Sequence, residues 1–195
     1  MASDARPGTA PDRRQRSLAR IIDTTLELMR ERGPAGVTIE AVSAASGVAK
    51  TTIYRHFANR GDMLRAAIGS LTRSPLPAPD LPTREKFRWT LDSARQGLQE
   101  GLGLGGVAAL LSEQDPEFTR SARAVLTPYT EHLVDLFGRA VTAGNVRADV
   151  DVDVVLSLIV GAFLGEQLRF GRIRDTWLDA TTDAIWRGVA ARPTE

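Results

Sequence analysis

Residues 38–64 read TIEAVSAASGVAKTTIYRHFANRGDML, the pattern of two short helices joined by a glycine turn. Thr38 has the side chain of a helix cap, accepting from a free backbone N–H, and Glu40 in the first turn suits the positive end of the helix dipole. Ile39, Val42 and Ala45 supply an inner face. Gly47 offers the left-handed conformation that a sharp turn between helices needs, and a second helix is predicted from about Val48 to Phe57. Ile53 and Phe57, four apart, lie on its buried side. Lys50, Thr51, Tyr54 and Arg55 occupy the opposite face.

Those residue types suit the major groove of a DNA duplex. Lysine and arginine pair with phosphates or guanine edges, threonine methyls and a tyrosine ring touch thymine methyls, and hydroxyls bond phosphate oxygens. A double-stranded DNA operator is therefore the expected partner.

The stretch resembles the TetR family of transcriptional regulators, whose signature joins an apolar-threonine start, an A-x-x-x-G-V turn and T-[LI]-Y-x-[HY]-F. The matching residues are Thr38, Gly47, Val48, Thr52, Ile53, Tyr54, His56 and Phe57, and Asn59, Arg60, Asp62 and Leu64 look like the family's link into a fourth helix. Ala49 stands where a capping serine is frequent and Thr51 where glycine is frequent, so the base-by-base reading stays open. Chemistry and family position together assign phosphates to Thr38, Tyr54, His56 and Arg60, and base edges to Lys50, Thr51, Thr52 and Arg55. The resemblance implies a homodimer, each subunit placing one reading helix in a half-site, with an effector-binding domain behind it.

The charge distribution agrees. Net charge is +1, yet residues 1–73 carry 12 Lys/Arg against 7 Asp/Glu and the remainder 13 against 17, a basic head on an acidic body. A basic head is the footprint expected when only that part meets phosphates, although a solvated surface can acquire such a bias by chance. The absence of cysteine excludes a disulfide framework and fits a reducing cytoplasm. The opening MASDARPGTAPDRRQR has no apolar signal-peptide core.

Residues 1–12 read as a disordered arm, and Arg13, Arg14 and Arg16 extend it with positive charge that can follow the DNA backbone or simply aid solubility. Leu18, Ile21, Ile22, Thr25, Leu26 and Met29 recur at helical spacing and predict a supporting first helix that stops at Gly33-Pro34. A helix-turn-helix DNA-binding domain is thus predicted over residues 13–73. Pro75, Pro77, Pro79 and Pro82 mark a linker at 74–84. Residues 85–195 are helical in pattern, so the predicted fold is all-α, a three-helix reader followed by a helical bundle for ligand binding and dimerisation.

Within that second unit, GLGLGG at 101–106 reads as a breaker or hinge, since no strand precedes it as a nucleotide-binding loop requires. Asp115-Pro116-Glu117 is a helix start, and Pro128 interrupts or kinks the helix that follows. The order L-L-x-E, D-P-E and G-x-[LV]-R-x-D-x-D also resembles a TetR-family effector-domain pattern, here Leu110 to Glu113, Asp115 to Glu117 and Gly144 to Asp151. Ten of thirteen residues from Val152 to Leu164 are apolar, so that helix needs partners on both sides. At about 1.5 Å per residue it spans ~20 Å, short of a ~30 Å hydrocarbon core, and no membrane partner is expected. Val155, Ile159, Ala162, Gly165, Trp177 and Ile185 are the candidate dimer interface.

Trp89, Leu110, Phe118, Tyr129, Leu133, Phe163 and Gln167 are candidate walls of an apolar small-molecule effector pocket, with ordinary core packing as the competing explanation for each. Catalysis finds little support: His132 is the only histidine outside the reader, and Ser112, Glu113 and Asp115 sit too close in sequence to form a triad by themselves. No metal or cofactor is expected, because no histidine pair shares a helical face. The function expected is a homodimeric repressor released from a palindromic operator by a small molecule. An activator or effector-independent regulator, and a ligand-binding protein with a vestigial head, are the alternatives.

Overall fold

The computed structural model describes residues 13–72 and 77–191, and its regular structure is helical apart from an isolated antiparallel bridge between Val146 and Ala190. The expected arm, residues 1–12, and Pro75 of the expected linker lie outside the described residues.

Helix α1 spans Arg13–Arg32, so Arg13, Arg14 and Arg16 form its first turns rather than an extended arm. It ends at Gly33, whose φ of 69° only glycine adopts readily, and at Pro34, which opens a 3-10 turn over Pro34–Gly36. Helices α2 (Ile39–Ser46), α3 (Lys50–His56) and α4 (Arg60–Leu71) complete the head. Thr38 caps α2 by accepting from the Ala41 N–H at 3.0 Å, and Asn59 caps α4 by accepting from the Asp62 N–H at 2.8 Å. Ile21, Met29, Val42, Ile53, Phe57, Met63 and Ile68 meet in one core. Burying Ile53 and Phe57 stabilises the head by about 1.5–3 kcal/mol for each side chain.

The body begins at α5 (Thr83–Gln96), continues through a π-helical segment (Gly97–Leu102) into α6 (Gly103–Ser112), and is completed by α7 (Pro116–Thr142), α8 (Val152–Phe170) and α9 (Trp177–Val189). The glycine-rich 101–106 segment is therefore helical rather than a loop. A Cβ on Gly101 would stand 2.5 Å from Leu71 Cδ1, and one on Gly103, at φ +68°, would stand 3.1 Å from the Arg30 Cα. These glycines let α6 and the π segment dock against α1 and α4, and that packing outweighs their poor helix propensity. Leu102, Val107, Phe118 and Ala122 consequently join the core of the head. Among the described residues, the apolar packing of the head continues into the body without a break.

Pro128 does not break α7, which runs unbroken for 27 residues. Its missing N–H frees the carbonyl of Ala124, and both residues lie on an exposed face, where that oxygen is open to solvent. Asp115 starts α7 as expected, accepting from the Phe118 N–H at 3.0 Å. Two further clusters hold the body together. Phe87 stacks on Phe137 with ring centroids 4.1 Å apart, and Leu91, Ile159, Phe163 and Trp177 form the other.

Candidate nucleic-acid interface

The turn that presents α3 is tied down from three sides. Gly47 adopts φ 68° and its N–H bonds the Ser43 carbonyl. The Ser43 hydroxyl donates to the Val48 carbonyl at 2.8 Å, and the Val48 N–H donates to Ser46 Oγ at 3.2 Å. Arg20 on α1 reaches across to donate to the Ser46 carbonyl. The backbone polar groups of a two-helix turn are thus satisfied locally, and α3 is held in one orientation.

Ile53 and Phe57 are buried, which leaves Lys50, Thr51, Tyr54 and Arg55 exposed, with Tyr54 at 54%. Thr52 and His56 are half-buried and line a cleft of about 1040 Å³ with Arg55, Arg13, Arg14, Arg16 and Arg20. No acidic side chain lines it. The first turn of α1 contains no acid either, although acids are what a helix start favours. An arginine cluster at the positive end of α1 is electrostatically costly by itself and becomes favourable beside a polyanion. Lys50 Nζ lies 2.9 Å from Glu40 Oε1. That ammonium, by hydrogen bond and charge, holds the Glu40 carboxyl below its ordinary value.

Arg60 does not share this surface. Its guanidinium donates to the Val37 carbonyl at 2.6 Å, the Pro34 carbonyl at 2.7 Å, Asp115 Oδ2 at 2.7 Å and Glu117 Oε2 at 2.8 Å. Four acceptors from the α1–α2 connection and the start of α7 occupy the donors that a phosphate would need. Glu117 Oε1 also accepts from the Gly61 N–H at 3.1 Å, and the Ser121 hydroxyl donates to the Gly61 carbonyl at 3.1 Å. Arg60 is therefore a latch joining head to body. Burial pushes the Asp115 carboxyl up, but hydrogen bonds from Arg60 and the Phe118 N–H, with the Arg60 charge, hold it below its ordinary value. The D-P-E motif carried this information, because an acid cap and a second acid two residues later create a pocket for a cation. Nothing local to Arg60 indicated that it would be that cation.

The three side chains considered for catalysis are similarly engaged. Glu113 pairs with Arg123, Asp115 with Arg60, and the Ser112 hydroxyl reaches only the Ala109 carbonyl at 3.5 Å. No group of three or more potential metal ligands occurs among the described residues.

The seven expected pocket residues separate. Phe118 and Leu110 pack in the core shared with the head, and Phe163 packs with Leu91, Ile159 and Trp177. Leu133 is buried, and Trp89, Tyr129 and Gln167 are half-buried. Burial alone raises the Tyr129 hydroxyl above its ordinary pKa. A cleft of about 680 Å³ in this unit lies elsewhere, between Pro79, Arg84, Lys86, Asn145 and Trp186 among others.

Three expected interface residues, Val155, Ile159 and Trp177, belong to the chain's own core, while Ala162, Gly165 and Ile185 are half-buried. The exposed stripe is displaced by one residue. Val154 (53%), Leu158 (57%), Gly161 and Leu168 (88%) stand in a row at spacings of four, three and seven, with Gly165 between the last two. A Cβ on Gly161 or Gly165 would meet no atom within 4 Å. Ala180, Ala184 and Gly188 form an exposed small-residue row on α9. Hydropathy alone cannot place the boundary between inner and outer faces on a helix as apolar as α8.

A family model described as bacterial regulatory proteins of the tetR family matches residues 21–67, and one described as a tetracyclin repressor-like C-terminal domain matches residues 82–185. The chain belongs to the TetR family. This TetR-family regulator is 22% identical, over 88% of both chains, to an uncharacterized HTH-type transcriptional regulator of Bacillus subtilis (strain 168), YdeS. Its fold is similar to that of a TetR-family regulator from Rhodococcus sp., with a TM-score of 0.70, 18% identity, and coverage of 88% of this chain and 97% of that one. It is similar also to the regulator FadR from Bacillus subtilis in complex with stearoyl-CoA, with a TM-score of 0.61, 18% identity and coverage of 87% and 95%. The TetR-family chain is a DNA-binding transcriptional regulator and not an enzyme. No helix among its described residues is long and apolar enough to cross a membrane.

Proposed function

We propose that the chain is a homodimeric, sequence-specific repressor that a small molecule releases from a palindromic operator in the cytoplasm. The observation that carries this reading is the uncovered α8 stripe of Val154, Leu158, Gly161 and Leu168, with the half-buried Gly165 within it. An apolar row with glycines in it suits a second copy of itself packed closely, and a twofold axis there gives the two readers a fixed separation. Recognition helices roughly 34–36 Å apart meet successive major grooves, which makes a palindrome the matching DNA.

Lys50, Thr51, Thr52 and Arg55 are the proposed base readers, with Thr38, Tyr54 and His56 on phosphates. Arg13, Arg14, Arg16 and Arg20 add phosphate contacts that the expectation of a loose arm assigned only in part. A ligand in the body shifts the dimer toward a differently spaced state, because the Arg60 latch ties α4 to α7 and movement of α7 carries the head with it. The stearoyl-CoA held by FadR from Bacillus subtilis supports a small molecule as the signal.

Selection of duplexes from a random pool by the purified protein, at two salt concentrations, tests the reading. An enriched palindrome is expected, and it supplies the probe for a screen of ligands that release it. Weak, strongly salt-dependent binding without enrichment would favour a ligand-binding role with a vestigial head.

A further inference from the structure

Lys50 opens the reading helix, yet its ammonium is already engaged. Its partner, Glu40, is the only acid on α2 or α3, and the 2.9 Å pair is open to solvent, with 50% of the Lys50 side chain and 63% of the Glu40 side chain exposed. An ion pair so exposed contributes little to stability, so support of the fold does not account for it. Its position does have a consequence for binding, since the Glu40 carboxylate competes with DNA for the Lys50 ammonium, which gives up all or part of that contact when it turns to DNA.

That replacement is unequal on different DNA. A phosphate on an arbitrary duplex offers Lys50 another solvated anion, so the exchange gains almost nothing and leaves the Glu40 carboxylate facing a polyanion. A guanine edge in the groove offers O6 and N7 acceptors in a desolvated interface, where a charged hydrogen bond is stronger. Resting on the DNA-reading assignment of α3, we propose that Glu40 is a specificity-determining residue, withholding Lys50 from arbitrary phosphates and releasing it only to the operator's base edge. Absolute affinity is lowered and discrimination is raised, as expected of a repulsive element built against the wrong partner.

The test is fluorescence anisotropy with the selected duplex and a random-sequence duplex of equal length, across a range of salt. Glu40→Gln is expected to tighten binding of the random duplex about two- to fivefold, the equivalent of an exposed ion pair. The slope of log affinity against log salt on that duplex should steepen by about 0.9, one further phosphate contact. Binding of the selected duplex should change less, so discrimination falls. In a Lys50→Met background the same Glu40→Gln change should tighten the random duplex much less and leave the salt slope unchanged.

Equal tightening in both backgrounds would mean simple repulsion between Glu40 and DNA, and would overturn the proposal. Unchanged binding of the random duplex by Glu40→Gln in the otherwise unmodified protein would do the same, as would weakened binding of the selected duplex, which makes Glu40 a contact residue. If the unmodified protein enriches no duplex, the reading of α3 itself fails, an outcome separate from all of these.

Discussion

Replacing Arg60 with methionine separates a latch from a phosphate contact. The substitution keeps most of the side-chain volume and removes a guanidinium whose side chain is only 18% exposed, as is that of Asp115. Breaking a fully buried ion pair costs about 3–5 kcal/mol. Glu117 is 41% exposed and rehydrates, so its share is near the ~0–1 kcal/mol of a surface pair. The Pro34 and Val37 carbonyls belong to buried residues and lose a charged donor, which keeps the total near the lower end of the range for a buried pair even though the Arg60–Asp115 pair is itself partly exposed. The loss expected is about 3 kcal/mol, and in a chain of this length roughly 2–4 °C per kcal/mol makes that a Tm about 6–12 °C lower by circular dichroism. Affinity for the selected duplex, measured well below the Tm, should stay within about twofold of the unmodified protein, since no phosphate contact is removed.

Acid should narrow the difference. Asp115 is held below its ordinary value of 3.8 in the folded chain, so its contribution is complete above that value and is lost as pH falls through the lower folded value. The gap between the two proteins is therefore largest at neutral pH and shrinks below about pH 4. An unchanged Tm combined with a large fall in DNA affinity would refute the latch and restore Arg60 to the phosphates.

Tyr54→Ala removes an exposed ring from α3 and should weaken operator binding by about 1–3 kcal/mol with no change in Tm; normal binding in a gel shift would mean that this face does not read DNA. Leu158→Glu places a charge in the α8 stripe and should reduce the mass seen by light scattering to the 21.1 kDa of one chain, with operator affinity falling too. A persistent dimer would move the interface elsewhere. Gly103→Ala imposes a side chain at φ +68° and 3.1 Å from the Arg30 backbone, at a cost of about 2 kcal/mol; an unaltered Tm would show that α6 has room to shift away from α1.

The reader was legible in the sequence because its physics is local. Thr38, Gly47, Ile53 and Phe57 act within a turn or two of their own positions, so cap, turn and buried face follow from spacing along the chain. Residues that act at a distance were not legible. The Arg60 acceptors are as far as 57 positions away, and no spacing rule connects Arg60 to Glu117. The 101–106 glycines read as a breaker because propensity counts the missing side chains, whereas packing against Leu71 and Arg30 uses the space they leave. On α8 almost every residue is apolar, so Val155 and Ile159 looked equivalent to Val154 and Leu158 until α5 and α7 covered one pair and left the other open. Contacts between near neighbours are enough to specify an all-helical chain with a DNA-reading turn. Which cation becomes the latch and which apolar row faces outward depend instead on which distant surfaces meet, and no short-range pattern encodes that.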